Sequence, residues 1–177
     1  DGSYFVSGSL DGVIKVWELG LDPNGGRSRF EATPRVSIDS QQGAIWGIAV
    51  SPDHQQIATT TRDGWLTIWN RQGEAVTQVN VGQDQGLTRL DWSADGRWLA
   101  VGRVDGKIDL YTPEGEFVIS LVGHESEVLT LGFSPDGQGL VSGGQDSVAI
   151  HWDLESILGA DLMEQGCDRI REYLQQS

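Results

Sequence analysis

The chain has 177 residues, of which 38% are hydrophobic and 21% charged, so it can bury a core and is expected to fold. Its net charge of −14 argues against nucleic acid or an anionic membrane as a partner, because phosphate groups are bound by clustered lysine and arginine. The single cysteine excludes an internal disulfide and favours a reducing compartment such as the cytoplasm.

An aspartate followed six residues later by an aromatic residue recurs along the chain. In chain order the pairs are Asp11 and Trp17, Asp63 and Trp69, Asp105 and Tyr111, and Asp146 and Trp152. A second marker, a serine two residues before an aspartate, precedes the last three pairs at Ser51-Pro52-Asp53, Ser93-Ala94-Asp95 and Ser134-Pro135-Asp136. Two markers that stay in phase indicate an internal repeat of about 42 residues.

Short runs rich in β-branched and aromatic residues lie between the markers and predict strands. The first repeat gives a strand at 4–9 and an outer strand at 35–38, joined through a polar loop at 20–34. The second repeat gives four strands, at 45–50, 56–61, 65–69 and 75–80. Asp-Gly and Pro-Asp turns separate these runs, and four short strands per repeat are typical of propeller blades.

The last repeat carries the fullest set of motifs: Gly123-His124, Ser134-Pro135-Asp136-Gly137, Ser142-Gly143-Gly144, Asp146 and Trp152-Asp153. With these motifs the chain resembles the WD-repeat family of β-propellers over residues 1–153. The resemblance implies an all-β fold, a partial propeller of two full and two partial four-stranded blades. The expected blades are 1–39, 40–82, 83–123 and 124–153, followed by a short helical tail at 154–177.

In that family one histidine, one serine or threonine, the turn aspartate and the tryptophan of a blade form a hydrogen-bonded tetrad. The resemblance therefore implies a structural tetrad of His124, Ser142, Asp146 and Trp152. The other blades match it only in part, with Ser7, Asp11 and Trp17 in the first, Thr59, Asp63, Trp69 and Gln41 in the second, and Asp105, Val101, Tyr111 and Gln83 in the third. We expect an incomplete network in the third blade, so that Asp105→Ala destabilises the protein less than Asp146→Ala.

The expected blades at the two ends lack one strand each, an inner strand in the first and an outer strand in the last. We interpret the chain as the C-terminal fragment of a larger WD-repeat protein with upstream domains. After Trp152 the spacing of leucine and isoleucine predicts two short helices separated at Gly166. The stretch 166–174 resembles the end of cyanobacterial multidomain WD-repeat proteins, in which the propeller often follows a signalling ATPase, a protease or a kinase domain.

The sequence predicts no catalytic residue, no cofactor and no metal site. The three histidines lack ligand spacing, and one cysteine cannot complete a zinc site. Aspartate recurs at the turns of every blade, where its side chain accepts hydrogen bonds from backbone N–H groups. Repetition at each blade favours a structural role for these carboxylates over a catalytic one.

Residues that break the repeat near one rim are the candidates for partner binding. Arg62 and Arg103 lie one and two residues before a turn aspartate. Trp46, Thr88 and Leu129 begin the inner strands and are expected near the mouth of the central channel. Trp46, Arg62 and Arg103 together predict a patch of two cations and one aromatic ring that favours an acidic or aromatic peptide.

The predicted function is a non-enzymatic protein-interaction scaffold, the sensor or docking module of a signalling protein. Two alternatives remain open at this point. In the first alternative the chain is a lid or autoinhibitory domain for an upstream catalytic domain, and in the second it is a propeller enzyme. An enzyme of that kind needs ligand side chains that converge on the channel, and the inner strands offer only Asp91.

Overall fold

The computed structural model describes residues 4–18, 34–81 and 86–159. Within these ranges the chain forms fourteen strands in four antiparallel sheets. The strands are β1 (Tyr4–Gly8), β2 (Val13–Glu18), β3 (Val36–Asp39), β4 (Ile45–Val50), β5 (Gln56–Thr61), β6 (Trp65–Asn70), β7 (Ala75–Asn80), β8 (Leu87–Trp92), β9 (Leu99–Arg103), β10 (Lys107–Tyr111), β11 (Phe117–Val122), β12 (Val128–Phe133), β13 (Gly139–Gly144) and β14 (Ala149–Asp153). One helix, α1, is described over 154–159.

Each sheet corresponds to one repeat of the sequence, and we number the sheets as blades 1 to 4. Blade 1 contains β1–β3, blade 2 contains β4–β7, blade 3 contains β8–β11 and blade 4 contains β12–β14. The predicted fold class, with two four-stranded and two three-stranded blades and a helix after the last strand, is confirmed. The second predicted helix, Gly166 and the stretch 166–174 lie outside the described residues.

The predicted strand bounds agree with the structure to within one residue. Strands β4, β5 and β7 have the predicted limits, whereas β6 extends one residue further. Strand β1 ends at Gly8 because Ser9 already belongs to the turn, where its carbonyl accepts a hydrogen bond from the N–H of Gly12. Gly12 has φ 84°, a conformation that glycine adopts without strain.

The hydrophobic core is divided among the three junctions between successive blades. Each blade turns one apolar face to the next blade, so that every core contains side chains from two sheets. Blades 1 and 2 meet through Ile14, Val16, Ile57 and Trp69, blades 2 and 3 through Ala58, Ile68, Leu99 and Tyr111, and blades 3 and 4 through Ala100, Leu110, Val128 and Leu140. Burial of one such large side chain contributes about 1.5–3 kcal/mol.

The inner strands β4, β8 and β12 lie side by side, and threonine hydroxyls bind β5 to β8 and β8 to β12. Thr60 Oγ1 donates to the carbonyl oxygen of Thr88 at 3.0 Å, and Thr88 Oγ1 donates to the carbonyl oxygen of Val128 at 2.7 Å. A Cβ atom at Gly47 would lie 2.7 Å from the Thr88 carbonyl oxygen, so only glycine permits this approach. These contacts fix the starts of the inner strands relative to one another.

Candidate functional site at the channel mouth

The four residues of the predicted tetrad come together inside blade 4. His124 Nδ1 lies 3.0 Å from Asp146 Oδ2, and His124 Nε2 lies 2.8 Å from Ser142 Oγ. Trp152 Nε1 donates to the same serine oxygen at 2.9 Å. A carboxylate only accepts hydrogen bonds, so Nδ1 carries a proton. Both ring nitrogens of the buried histidine are thus bound to side chains of the same blade, and the serine oxygen is shared with Trp152.

The turn aspartate of blade 4 is held as a carboxylate by backbone groups. Asp146 accepts hydrogen bonds from the N–H groups of Glu125 and Val148, each at 3.0 Å. The hydrogen bond from Glu125 has the largest effect on the pKa of Asp146. Together with those from Val148 and His124 it outweighs burial and keeps that pKa below its ordinary value.

Blades 1 and 2 keep the tryptophan and hydroxyl half of the tetrad. Trp69 Nε1 donates to Thr59 Oγ1 at 2.8 Å, and Trp17 Nε1 donates to Ser7 Oγ at 2.9 Å. Gln41, at the position of the histidine in blade 2, is exposed. The third blade's counterpart, Gln83, lies outside the described residues.

Blade 3 contains an ionic network where the tetrad lies in blade 4, which corrects the prediction that Arg103 belongs to a surface patch. Arg103 is buried, not part of a surface patch, with 7% of its surface exposed. Its Nε and Nη2 donate to Asp105 at 3.0 and 2.7 Å, and its Nη1 donates to Asp109 at 3.0 Å. Ser120 donates to the other oxygen of Asp109. Val101 and Tyr111 stand where the tetrad has its hydroxyl and tryptophan, so blade 3 holds an ionic network in place of the tetrad, and the smaller effect expected of Asp105→Ala than of Asp146→Ala stays a prediction.

The guanidinium of Arg103 takes the place that an imidazole takes in blade 4. Arg103 pairs with the first residue of β8, and Gly144 pairs in the same way with the first residue of β12. A Cβ atom at Gly144 would lie 2.6 Å from His124 Nδ1 and 2.5 Å from Asp146 Oδ1. A histidine therefore requires glycine at this position, whereas a blade without the histidine accommodates arginine there.

The charges of this network reinforce one another. Burial lowers the pKa of Arg103, but hydrogen bonds to Asp109 and Asp105 outweigh it and raise that pKa above its ordinary value. Burial acts to raise the pKa of Asp105, but hydrogen bonds and nearby cations outweigh burial and keep that pKa below its ordinary value. The hydrogen bond from Arg103 is the largest of these opposing effects. Burial, assisted by Asp109, raises the pKa of Tyr111 to about 12. Arg103 and Asp105 are therefore both charged at neutral pH.

The other two residues of the predicted patch lie together at the channel mouth. The guanidinium carbon of Arg62 lies 4.8 Å from the centre of the Trp46 ring, a distance typical of a cation–π contact. Arg62 is exposed and Trp46 is half-buried. Thr88 does not join them, because its side chain points between the blades and is 3% exposed.

Arg89 is a third member of this surface that the sequence analysis missed. Its Nη1 donates to the carbonyl oxygen of Trp46 at 2.7 Å and its Nε donates to that of Leu129 at 3.1 Å. It thereby bridges blades 2 and 4 across the start of β8. We call Trp46, Arg62, Arg89 and Leu129 the mouth patch. Within the part of the chain that the structure describes, neither arginine of the mouth patch forms an ion pair.

Asp91, the residue on which the enzyme alternative depends, joins two blades. Its Oδ2 accepts the N–H of Phe133 at 2.9 Å, and burial raises its pKa. Over residues 4–18, 34–81 and 86–159, no three side chains of histidine, cysteine, aspartate or glutamate converge to hold a metal ion. In the same ranges no helix has the length and apolar character needed to cross a membrane.

Four sheets of one design, stacked face to face with their inner strands side by side, define an arc of a β-propeller. The family described as "WD domain, G-beta repeat" matches residues 1–18 and 115–153. The family described as "Anaphase-promoting complex subunit 4 WD40 domain" matches residues 48–126. The chain belongs to the WD40 repeat family, and the resemblance seen in the sequence is confirmed.

Curated relatives come from distant organisms. A WD repeat-containing protein of the cyanobacterium Synechocystis, itself described as uncharacterized, is 32% identical over 71% of this chain and 37% of its own length. WD repeat-containing protein SL1-17 of Schistosoma mansoni is 29% identical over 82% of the chain and 45% of its own length. The protein groucho of Drosophila melanogaster is 24% identical over 83% of the chain and 19% of its own length. The chain thus spans less than half the length of these relatives.

Proposed function

We propose that these blades form a non-enzymatic docking module that binds an acidic segment of a partner protein at the mouth patch. WD40 domains commonly bind protein partners, and WD40 repeat proteins are typically non-catalytic. The observation that carries the proposal is the pairing of Arg62 with Trp46 next to Arg89, two cations that have no carboxylate partner among the described residues of a chain of net charge −14.

The geometry of the mouth patch suits a carboxylate ligand. A guanidinium has five N–H donors, of which Arg89 uses two on backbone carbonyl oxygens. Arg62 lies over the Trp46 ring, and such a contact leaves the N–H groups at the edge of the guanidinium free to bind a carboxylate in pairs. A tryptophan beside arginines is also the composition that dominates binding energy at protein interfaces. An acidic peptide is the complementary partner.

The faces of blade 4 support a larger propeller as the parent of this arc. Val141 is 49% exposed, whereas its counterparts Ala58 in blade 2 and Ala100 in blade 3 are fully buried by the following blade. Exposed apolar sheet faces of this kind are normally covered. We therefore propose that further blades cover this face in a larger signalling protein of the cytoplasm, to which the docking module belongs.

The proposal is tested with a fluorescent peptide rich in aspartate and glutamate that carries one aromatic residue. The full protein is expected to bind this peptide and to bind its asparagine and glutamine counterpart more weakly. Trp46→Ala combined with Arg62→Ala should weaken binding at least tenfold, which corresponds to about 1.4 kcal/mol, without lowering the melting temperature.

Arg71→Ala is the matched control for this experiment. Arg71 also belongs to blade 2 and also lies over an aromatic ring, that of Tyr4 at 5.3 Å, but at the opposite end of the strands. It should leave binding of the acidic peptide unchanged. Equal affinity of the wild type and the double variant, or equal affinity for the acidic and amide peptides, would place the docking surface elsewhere.

A further inference from the structure

A crevice of about 600 Å³ lies between blades 2 and 3, at the end of the strands away from the mouth patch. We call it the 2/3 crevice. Its lining comes mostly from the β4–β5 turn of blade 2 and from the β8–β9 and β10–β11 turns of blade 3. Both blades are four-stranded sheets, so the crevice does not depend on what covers the two ends of the arc. A volume of this size is typical of a ligand site.

The described lining of the 2/3 crevice carries three carboxylates and no lysine or arginine. The carboxylates belong to Asp53, Asp95 and Glu114. Asp95 is paired with Arg97 at 2.6 Å, whereas Glu114 forms no ion pair with any described residue. Hydrogen bonds from Ser51 Oγ and from the N–H of Gln55 keep the pKa of Asp53 below its ordinary value, and both end on Oδ1. The crevice is therefore negatively charged at neutral pH.

The second feature of the 2/3 crevice is a buried N–H donor. Trp92 lines the crevice and is 6% exposed. Among the residues that the structure describes, its Nε1 is the one buried side-chain nitrogen or oxygen atom without a hydrogen-bond partner. Val50 and Phe133 hold the same repeat position in blades 2 and 4, so the blade does not require an N–H there. Because a buried donor without an acceptor is unfavourable, a ligand that brings an oxygen to Nε1, directly or through a water molecule, gains binding energy.

The corresponding crevice between blades 1 and 2 carries a cation at the repeat position of Glu114. From the turn that follows its third strand, blade 2 supplies Arg71-Gln72 to that crevice and blade 3 supplies Pro113-Glu114 to the 2/3 crevice. In both turns a glycine N–H donates to the carbonyl oxygen three residues earlier, so the turns share a hydrogen bond and differ in their side chains. The negative charge is thus specific to the 2/3 crevice and is not a requirement of the repeat.

We propose that the 2/3 crevice binds a basic segment of a partner protein, with a lysine or arginine side chain at Asp53 and Glu114 and a backbone carbonyl oxygen at Trp92 Nε1. A lysine or arginine residue within a peptide carries both groups that complement the crevice, a cation and an acceptor. A bare cation would leave the indole N–H without an acceptor, and the described acidic side chains do not converge as metal ligands do. This second docking surface would let one module hold an acidic and a basic segment at opposite ends of its strands.

The experiment uses short fluorescent peptides of glycine, serine and alanine that carry a pair of lysines, arginines or glutamines. Binding to the full protein is measured by fluorescence anisotropy at about 0.15 M salt, which screens distant charges. The lysine and arginine peptides are expected to bind about tenfold more tightly than the glutamine peptide, because their charge is complementary to the crevice. Asp53→Asn combined with Glu114→Gln should remove this preference, since the two substitutions remove charge with little change of shape.

The indole N–H of Trp92 gives a direct readout of the second contact. Its NMR signal, assigned by its loss in Trp92→Phe, should shift when the lysine peptide saturates the protein. Trp92→Phe removes the donor but keeps an aromatic ring, which blade 4 already has in Phe133. It should weaken binding of the lysine peptide about threefold or more, the effect of losing one hydrogen bond. The NMR shift is measured on the unsubstituted protein, so this part of the test does not depend on the stability of the variant.

Two variants serve as matched controls. Glu125→Gln removes one exposed negative charge before β12, at the other end of the strands, and Trp46→Ala alters the mouth patch. Neither should change the affinity for the lysine peptide, and the melting temperature of each variant shows whether the blades remain folded. The proposal is overturned if the basic peptides bind no more tightly than the glutamine peptide or if the double variant keeps their preference. It is also overturned if Glu125→Gln weakens binding as much as Glu114→Gln does, or if the Trp92 signal does not shift.

Discussion

Removal of Asp109 tests whether the ionic network of blade 3 stabilises the blade as the tetrad does in blade 4. The side chains of Arg103 and Asp109 are only 9% and 2% exposed. In Asp109→Ala the buried guanidinium keeps Asp105 as its one charged partner, and Ser120 loses its acceptor. Breaking a buried ion pair from one side costs about 3–5 kcal/mol. Because Asp105 remains, we expect a loss near the low end, about 3 kcal/mol.

Asp105→Ala provides a graded comparison within the same network. The Asp105 side chain is 34% exposed, and its removal leaves Arg103 bound to the buried Asp109. Solvent screening weakens the contribution of a partly exposed pair, so a loss of about 1–2 kcal/mol is expected. The order of the two losses therefore follows from burial, the less exposed carboxylate having the larger effect.

The measurement is urea unfolding of the full protein, combined with a double-mutant cycle of Arg103→Ala and Asp109→Ala. Coupled residues in one network show interaction energies of about 0.5–3 kcal/mol. The double variant should accordingly lose less stability than the sum of the two single variants. Additive losses, or a loss below about 1 kcal/mol for Asp109→Ala, would show that the network does not stabilise blade 3.

Two further predictions concern single residues at the turns. Gly144→Ala should lower the free energy of unfolding by about 1–3 kcal/mol, because the new Cβ atom would displace His124 and Asp146 from their hydrogen bonds. Gly132→Ala is the control: the atom nearest to its Cβ would be 3.9 Å away, so the free energy of unfolding should change by less than about 0.5 kcal/mol. Burial opposes ionisation of Asp95, but hydrogen bonds from neighbouring residues outweigh it and lower its pKa from 3.8 to about 2. The ionised Asp95 carboxylate therefore stabilises the fold fully above pH 3.8, and this stabilisation is lost as the pH falls toward 2. Urea unfolding at several pH values should show this loss of stability in acid, and Asp95→Asn should make the loss smaller.

The sequence predicted the blades well because their signals are local. Turn aspartates, glycines and alternating β-branched residues act over a few positions, so strands such as β4 and β5 could be placed to the residue. The repeat then identified which residues share a position. The tetrad residues followed from the resemblance, because the motif positions of the last blade are complete.

The side chains of the mouth patch were harder to predict, because their direction depends on the backbone near a bulge. The pairing of β8 with β9 shifts register between Leu87 and Leu90, and the side chains of the two residues in between point in different directions. Thr88 turns into the junction, whereas Arg89 reaches the channel mouth. Arg103 was misplaced for a different reason, since its partner Asp109 lies in the middle of a strand where a buried charge is uncommon. A carboxylate within an otherwise apolar strand is the signal that could have located it.

The different networks of blades 3 and 4 show how the repeat can vary without a change of fold. The cores lie between blades, so the positions around the turn aspartate need only satisfy their own hydrogen bonds and charges. A histidine with Gly144 does so in blade 4, and Arg103 with Asp109 does so in blade 3. Arg103 of blade 3 is bound to carboxylates inside its blade, whereas Arg62 of blade 2 forms no ion pair within the described residues and lies over Trp46. Blade 2 has Thr61 at the position of Arg103, and Arg62 lies one residue later in the repeat, at the position of Val104, where its guanidinium lies over Trp46.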